Sequence, residues 1–273
     1  MCHLLGQPLL FYNKYSIKFM KIISYNVNGI RAAFTKDFTS WLSFANPDII
    51  CFQESKAQPD QINIGAFHDL KYESYWHSAQ KKGYSGVGIA TKHTPKHIEY
   101  GTGIDYIDFE GRVIRLDFDQ FSVISVYVPS ATNILRLDLK MQFCYDFLNY
   151  LKELRKTIPN LIVCGDFNIC HEAIDIHDPV RLASVSGFLP MEREYMSRFL
   201  EEGEFTDAFR FINPTTQQYS WWSYRANARA NNKGWRLDYN MVSNTLRDKI
   251  ERAIILPEAM HSDHCPVMVE LAL

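Results

Sequence analysis

The feature that most restricts what this chain can fold into is a recurring unit: a short apolar strand that runs straight into a polar or acidic residue. Ile22-Ile23-Ser24-Tyr25 runs into Asn26, Ile49-Ile50-Cys51-Phe52 into Gln53 and Glu54, and Val123–Val126 into Tyr127. Leu161-Ile162-Val163-Cys164-Gly165 meets Asp166 and Asn168, Trp235-Arg236-Leu237 meets Asp238, and Asp263-His264 sits just before the last strand. In α/β folds, ligand sites gather at strand ends, where rigid elements aim side chains into loops. Six such endings are enough to build one site from distant parts of the chain.

Further short β-branched or aromatic runs predict strands at Tyr72–His77, Gly86–Thr91, Val113–Phe118, Ile250–Ile255 and Val267–Leu271. Helices are predicted over Asp37–Asn46, Leu135–Thr157 and Met191–Glu202; the middle one carries Leu139, Phe143, Phe147, Leu151 and Leu154 near helical spacing. Some neighbouring strands are joined by short turns, as at Asp117–Phe121, and others by helices, which predicts an α/β domain of mixed sheets with helices outside. No repeat or long linker divides the chain. Residues 20–273 are expected to form a single catalytic domain, and residues 1–19 a poorly packed extension whose Met20 neighbour reads as the natural start.

No apolar run approaches the roughly 18 residues of a membrane span, and the first twenty residues lack the basic start and small-residue cleavage site of a secretory signal. The six cysteines form no Cys-x-x-Cys pair and mostly lie in apolar runs, so they read as small buried hydrophobes of a reducing cytoplasm. A cytoplasmic monomer is expected, nucleoid-associated if the source is bacterial. With 29 Lys+Arg against 31 Asp+Glu the net charge is −2, which excludes a globally basic nucleic-acid coat but leaves open a local basic face.

Taken singly, each strand-end residue has an ordinary structural explanation: Asn26 as a turn, Asp166 and Asn168 as an Asx turn, His264 as a satisfied surface histidine. Taken together they fit phosphate-ester hydrolysis. Glu54, helped by Asp263, suits a hard cation such as Mg2+, with Mn2+ as the alternative. Asp166 is placed to take a proton from, or orient, the attacking water. Asn168, Tyr127 and His264 supply hydrogen bonds to a pentacovalent phosphorane, and Asp238 orients His264. No zinc-ligand spacing is present.

Ser24-Tyr25-Asn26-Val27-Asn28-Gly29-Ile30-Arg31-Ala32, Gln53-Glu54-Ser55-Lys56, Tyr127-Val128-Pro129, Gly165-Asp166-Phe167-Asn168 and Ser262-Asp263-His264-Cys265-Pro266 resemble, in order, the motifs of the exonuclease III/AP endonuclease family. These motifs belong to a wider superfamily of metal-dependent phosphoesterases. Two stretches are narrower in their resemblance: Gly187-Phe188-Leu189-Pro190-Met191-Glu192-Arg193, and Tyr219–Arg225 followed by Gly234–Tyr239. The resemblance implies a four-layer α/β sandwich, two packed mixed β-sheets flanked by helices. It implies cleavage of duplex DNA on the 5′ side of an abasic site, together with removal of 3′-blocking groups and 3′ nucleotides. It makes Glu54 the main metal ligand, puts Asn28 and Asp263 on the metal side, and completes the catalytic set with Asn26. It maps an abasic pocket to Trp221, Trp235 and Leu237, with Trp222 as core. It assigns DNA positioning to Arg31, Lys56, Tyr84, Arg112, Arg136, Arg225 and Arg229.

Three departures accompany the resemblance. Asn28 stands where some relatives carry Asp, Ser130 where they tend to carry Asn or Gln, and the loop Val180–Ser186 holds only Arg181 as a base. Two other readings compete: a phosphoesterase of the same superfamily acting on RNA, a phosphoinositide or a sphingolipid, and a DNA-binding protein without catalysis. The tryptophan segment argues against the first and the complete catalytic set against the second. Between Trp222 and Leu237 the chain carries Arg225, Arg229, Lys233 and Arg236 and no acid, which predicts a local charge of +4 facing DNA.

Overall fold

A computed structural model of the protein describes residues 19–131 and 133–273. The expected extension lies outside the described residues except for Phe19, which opens the first strand and pairs with Ala272. The strands are β1 (Phe19–Asn26), β2 (Ile49–Gln53), β3 (Glu73–His77), β4 (Val87–Thr91), β5 (His97–Tyr100), β6 (Val113–Asp117), β7 (Ser122–Tyr127), β8 (Leu161–Asp166), β9 (Phe205–Asp207), β10 (Asp238–Ser243), β11 (Ile250–Ile255) and β12 (Val267–Ala272). The helices are α1 (Ile30–Phe34), α2 (Phe38–Ala45), α3 (Ile64–Asp69), α4 (Asp105–Asp108), α5 (Ile134–Leu154), α6 (Pro190–Glu201) and α7 (Ala208–Ile212).

Two six-stranded mixed sheets result, in the orders β11-β12-β1-β2-β4-β3 and β5-β6-β7-β8-β10-β9. Period-2 alternation divides the strand residues between faces. Ile22, Ile49, Cys51, Val123, Ile162 and Cys164 point into the core shared by the two sheets. Their chain neighbours point outward: Ile23, Ile50 and Phe52 onto Phe38, Leu42 and Phe67 of the first helical layer, and Ile124 and Val163 onto Phe143, Phe147, Leu151 and Phe199 of α5 and α6. The four expected layers follow. A fully buried side chain such as Phe147 contributes roughly 1.5–3 kcal/mol by leaving water.

Local signals set the two long helices. Asn133 caps α5, its side chain accepting from the Arg136 N–H at 3.1 Å, and α6 starts on Pro190 with Glu192 reaching back to the Leu189 N–H. Strands β5 and β9 and helices α1, α3, α4 and α7 have no counterpart in the expected elements. Each spans three to six residues, too short for periodicity to stand out, and β5 is an edge strand with both end residues exposed.

Each sheet has one parallel pair at its centre, β1 with β2 and β7 with β8. The carboxyl ends of both pairs point to the same place. Asn26 stands level with Gln53, and Tyr127 level with Asp166, which also faces Asp238 across the antiparallel β8–β10 pair. The folded sheets thereby bring together strand-end residues far apart in the chain, such as Asn26 and Asp166, which are 140 positions apart.

Candidate active site

Asn26 is fully buried and bridges the two sheets: its Nδ2 donates to Glu54 Oε1 at 3.1 Å and to Asp166 Oδ2 at 2.8 Å. The Tyr127 hydroxyl donates to Glu54 Oε1 at 2.7 Å. Asp166 Oδ1 accepts from the Asn168 N–H at 2.8 Å, and Asn168 Nδ2 lies between Asp166 Oδ2 and the Val128 carbonyl. His264 Nδ1 is paired with Asp238 Oδ2 at 2.8 Å, and its Nε2 lies 3.8 Å from Asp166 Oδ2, beyond hydrogen-bonding distance. Ligand atoms of Glu54, Asp166 and His264 lie within 4.8 Å of one another. Asp263, expected beside the metal, has its oxygens hydrogen-bonded to Asn28 Nδ2 at 2.9 Å, Ser262 Oγ at 3.1 Å and Trp221 Nε1 at 3.0 Å.

The backbone is strained around this cluster. Asn28, Glu54, Lys56 and Asn168 have φ of 46°, 51°, 49° and 52°. Asparagine tolerates this left-handed region, but Glu and Lys visit it at a cost of order 1–3 kcal/mol each. The Glu54 segment is held there by the Gly29 N–H on the Glu54 carbonyl at 2.7 Å and by Ser55 and Lys56 N–H groups on the Gly86 and Ser85 carbonyls.

Burial and charge set the protonation states. Burial pushes the Asp166 carboxyl up to about 7; the charge of His264 opposes this, and the carboxylates of Asp238 and Glu54 add to it. For His264 burial favours the neutral ring, but Asp238 and Asp166 outweigh it and hold its pKa up to about 10. Burial would raise the Glu54 carboxyl, but the charge and hydrogen bond of Lys56, the Tyr127 hydroxyl and the charge of His264 together hold it below the usual carboxylate range. Asp263 is likewise held low: His264 and the Asn28 and Trp221 hydrogen bonds outweigh its burial.

A cavity of about 370 Å³ opens onto this cluster, lined by Glu54, Tyr127, Asn168, Asp263 and His264 on one side and by Trp221, Trp235, Leu237 and Val185–Gly187 on the other. The local sequence explains the aromatic side. Trp235 and Leu237 point into the cavity, and Arg236 between them points the opposite way, onto Asp175 at 2.7 Å and Asp207 at 2.8 Å. Trp221 and Trp235 meet edge to face, with centroids 6.2 Å apart. Trp222 is 4% exposed and belongs to the core between the sheets.

The residues expected to contact DNA divide into two groups. Arg31 and Arg225 are exposed, Lys56 is half-buried against Glu54 Oε2 and Asn28 Oδ1, and Arg136 and Tyr84 are joined at 3.1 Å. Arg112 is a correction: at 2% exposed it is clamped by Glu110, the Tyr84 hydroxyl and the Tyr127 carbonyl, and stacks on the Tyr127 ring. It orients Tyr84 and Tyr127 rather than facing solvent. Arg229 is another, with its guanidinium bound to the Pro257, Ala259 and Ser262 carbonyls and stacked on Trp222. With Arg236 buried between two acids, the expected local charge of +4 reduces to Arg225 and Lys233 as exposed bases.

Sequence reasoning missed the supports behind the site. Ser220 Oγ accepts from the Leu237 and Asp238 N–H groups, and its carbonyl accepts from the Cys265 N–H, tying both sides of the cavity together. Lys140 and Glu192 form a buried pair behind Asn168. The Glu192 motif position was visible in the sequence; its partner 52 residues away was not.

The geometry agrees with comparisons to known proteins. The Endonuclease/Exonuclease/phosphatase family matches residues 23–264. An exodeoxyribonuclease of Bacillus subtilis is 46% identical over 251 residues, covering 91% of this chain and 98% of that protein. A DNA-(apurinic or apyrimidinic site) endonuclease of Dictyostelium discoideum is 40% identical, covering 93% of this chain and 71% of that protein. Among solved structures, the 3′ phosphatase NExo from Neisseria, bound to a product DNA hairpin, superposes with a TM-score of 0.86 at 26% identity, covering 92% of this chain and 99% of that one. The strand-end cluster, the four-layer sandwich and these matches lead to one conclusion: this chain belongs to the endonuclease/exonuclease/phosphatase family, a family of nucleases and other phosphoesterases.

Proposed function

We propose that this protein is a metal-dependent DNA-repair nuclease that hydrolyses the phosphodiester on the 5′ side of an abasic site in duplex DNA and also removes 3′-blocking groups and 3′ nucleotides. The single observation that carries the reading is the shared cavity, whose lining combines Trp221, Trp235 and Leu237 with Glu54, Asn168 and His264. A deoxyribose without its base is small and apolar on one face, so such a niche admits it and an intact nucleotide meets the walls. Extrusion is also easier where no base must be unstacked. The relatives named above act, by their names, on abasic DNA and as exodeoxyribonucleases.

A hard cation fits the site: its donors are mostly oxygens, and a positive charge, the Lys56 ammonium, already lies 2.7 Å from Glu54 Oε2. Glu54 is the main ligand in this reading, with Asn28 and Asp263 beside it, Mg2+ the ion and Mn2+ its substitute. Bound there, the ion supplies positive charge to the phosphate and the leaving oxygen. Asp166, whose raised pKa makes it a better proton acceptor than an ordinary aspartate, orients the attacking water and takes its proton. The His264 Nε2–H, held charged by Asp238, donates to a phosphate oxygen. A phosphate oxygen also replaces Asp166 as an acceptor for Asn168 Nδ2, and Tyr127 fixes Glu54.

The decisive test is duplex DNA carrying one internal abasic analogue, incubated with Mg2+ or with EDTA. Incision on the 5′ side of the analogue only with Mg2+ is expected; no metal-dependent incision there would refute the reading.

A further inference from the structure

Lys140 of α5 and Glu192 of α6 are both 0% exposed, and they touch each other at the back of the cavity. Burying two charges costs several kcal/mol each in desolvation, and an apolar pair would join two helices at no such cost. Their remaining partners lie in the cavity wall or directly beside it. Lys140 Nζ donates to the Asn168 carbonyl at 2.8 Å. Glu192 Oε2 accepts from the Gly187 N–H at 2.6 Å and the Leu189 N–H at 3.0 Å, and Oε1 accepts from Ser186 Oγ at 3.1 Å. Ser186 and Gly187 line the cavity on the niche side, and Asn168 lines it on the polar side. Gly187 has φ +97°, and a Cβ there would meet the Trp235 ring at 3.0 Å and the Asn168 carbonyl at 3.3 Å. The wall at this point therefore lies close against both the niche and the polar cluster, with no room for a side chain between them.

Resting on the function proposed above, we infer that the Lys140–Glu192 pair is a specificity-determining positioning device: it fixes the Asn168 turn and the 186–189 wall at one separation and so sets the width of the cavity that admits an abasic sugar. Neither residue touches the substrate. A pair that merely fastened α5 to α6 would be replaceable by any packing that keeps the helices together.

The experiment compares kcat/KM for two duplexes of one sequence, one with an internal abasic analogue and one with an intact 3′-terminal nucleotide. The double variant K140M/E192Q keeps the volume and removes both charges, leaving no unpaired buried ion. It is expected to keep the wild-type thermal midpoint and to lose at least about tenfold in the ratio of abasic to intact-end activity, the scale on which small misplacements act. An unchanged ratio in the folded double variant overturns the inference. S186A, at a half-buried position, removes one bond to Glu192 without disturbing the pair. It should shift the ratio the same way by a smaller factor, and it keeps the idea refutable if the double variant does not fold. Amide hydrogen exchange at Gly187 and Leu189 reads the wall without any substrate: exchange should quicken in the double variant, and unchanged protection also overturns the inference. Wild-type protein that fails to incise the abasic duplex sinks the functional reading instead, while the exchange measurement still decides whether the pair holds the wall.

Discussion

The cavity has two sides built on different principles. On the polar side, Asn26, Tyr127, Asp166 and Asp238 are the last or first residues of strands, paired in register within a sheet, and Asn26 and Tyr127 bond Asp166 and Glu54 across the two sheets. On the niche side, Trp221 and Trp235 are held by isolated bridges between loops, and the 185–189 segment belongs to no strand. The polar side inherits its rigidity from the sheets. The niche is held from behind by buried charges, Arg236 on Asp175 and Lys140 on Glu192. In the function proposed above, reaction chemistry falls to the element that tolerates least movement, and substrate choice to one that substitutions can adjust.

The sharpest way to break this comparison is on the polar side. Asp166→Asn keeps the shape and its bond to the Asn168 N–H but removes the proton acceptor. The kcat for abasic incision should fall by about 10²–10⁴, the usual worth of a general base, while affinity for uncleaved duplex in a gel-shift assay stays close to wild type. Retained activity would remove Asp166 from the chemistry. On the niche side the expected effect is smaller and of another kind. Trp235→Ala enlarges the niche, and a change in apolar pocket contacts alters discrimination by about 10–200-fold. Steady-state kinetics should show abasic incision losing to intact-end removal; an equal fall on both substrates would mean that Trp235 serves the chemistry or the fold instead.

The same contrast explains what could be read from the sequence. The polar side was legible because each residue sits at the end of a short apolar run, and a strand fixes where its last side chain points. Mixed sheets with helices outside were legible for the same reason, from short apolar runs such as Ile22-Ile23 and Ile49-Ile50, whereas the four-layer arrangement came only from the family resemblance. The niche tryptophans could be named only through family resemblance, since aromatic residues between loops carry no periodic signal. Arg112, Arg229 and Arg236 were misjudged because sequence gives charge and not depth: each finds carbonyl or carboxylate partners 15 to 61 residues away. The motif residue Asp263 is hydrogen-bonded to Asn28, Ser262 and Trp221 and so links the two sides, a connection no sequence pattern displays.

The next test reads stability instead of rate. With its pKa held up to about 10 against an ordinary 6.5, His264 keeps in the folded state a proton that the unfolded chain releases. Its contribution is complete below pH 6.5 and is lost as pH rises towards 10, a slope of at most about 1.4 kcal/mol per pH unit. Asp238→Asn removes the main charge that holds the proton, so urea unfolding followed across this window should show a flatter decline than wild type. Parallel declines would mean that Asp238 orients the ring without setting its charge.

The smallest effect separates two arginines of one segment. Arg225 is exposed, and its proposed contact is with a DNA phosphate, so Arg225→Ala should lower the slope of log affinity against log salt by about 0.9, the value of one released counterion. Its thermal midpoint should not move. Arg229→Ala should do the reverse. It strips donors from the Pro257, Ala259 and Ser262 carbonyls and the stacking cation from Trp222, so it should cost about 1–3 kcal/mol of stability and leave the salt slope alone. If Arg229→Ala changed the salt slope as much as Arg225→Ala, the segment would meet DNA with its buried side uncovered, and the division between holding the niche and gripping the duplex would fail at this point.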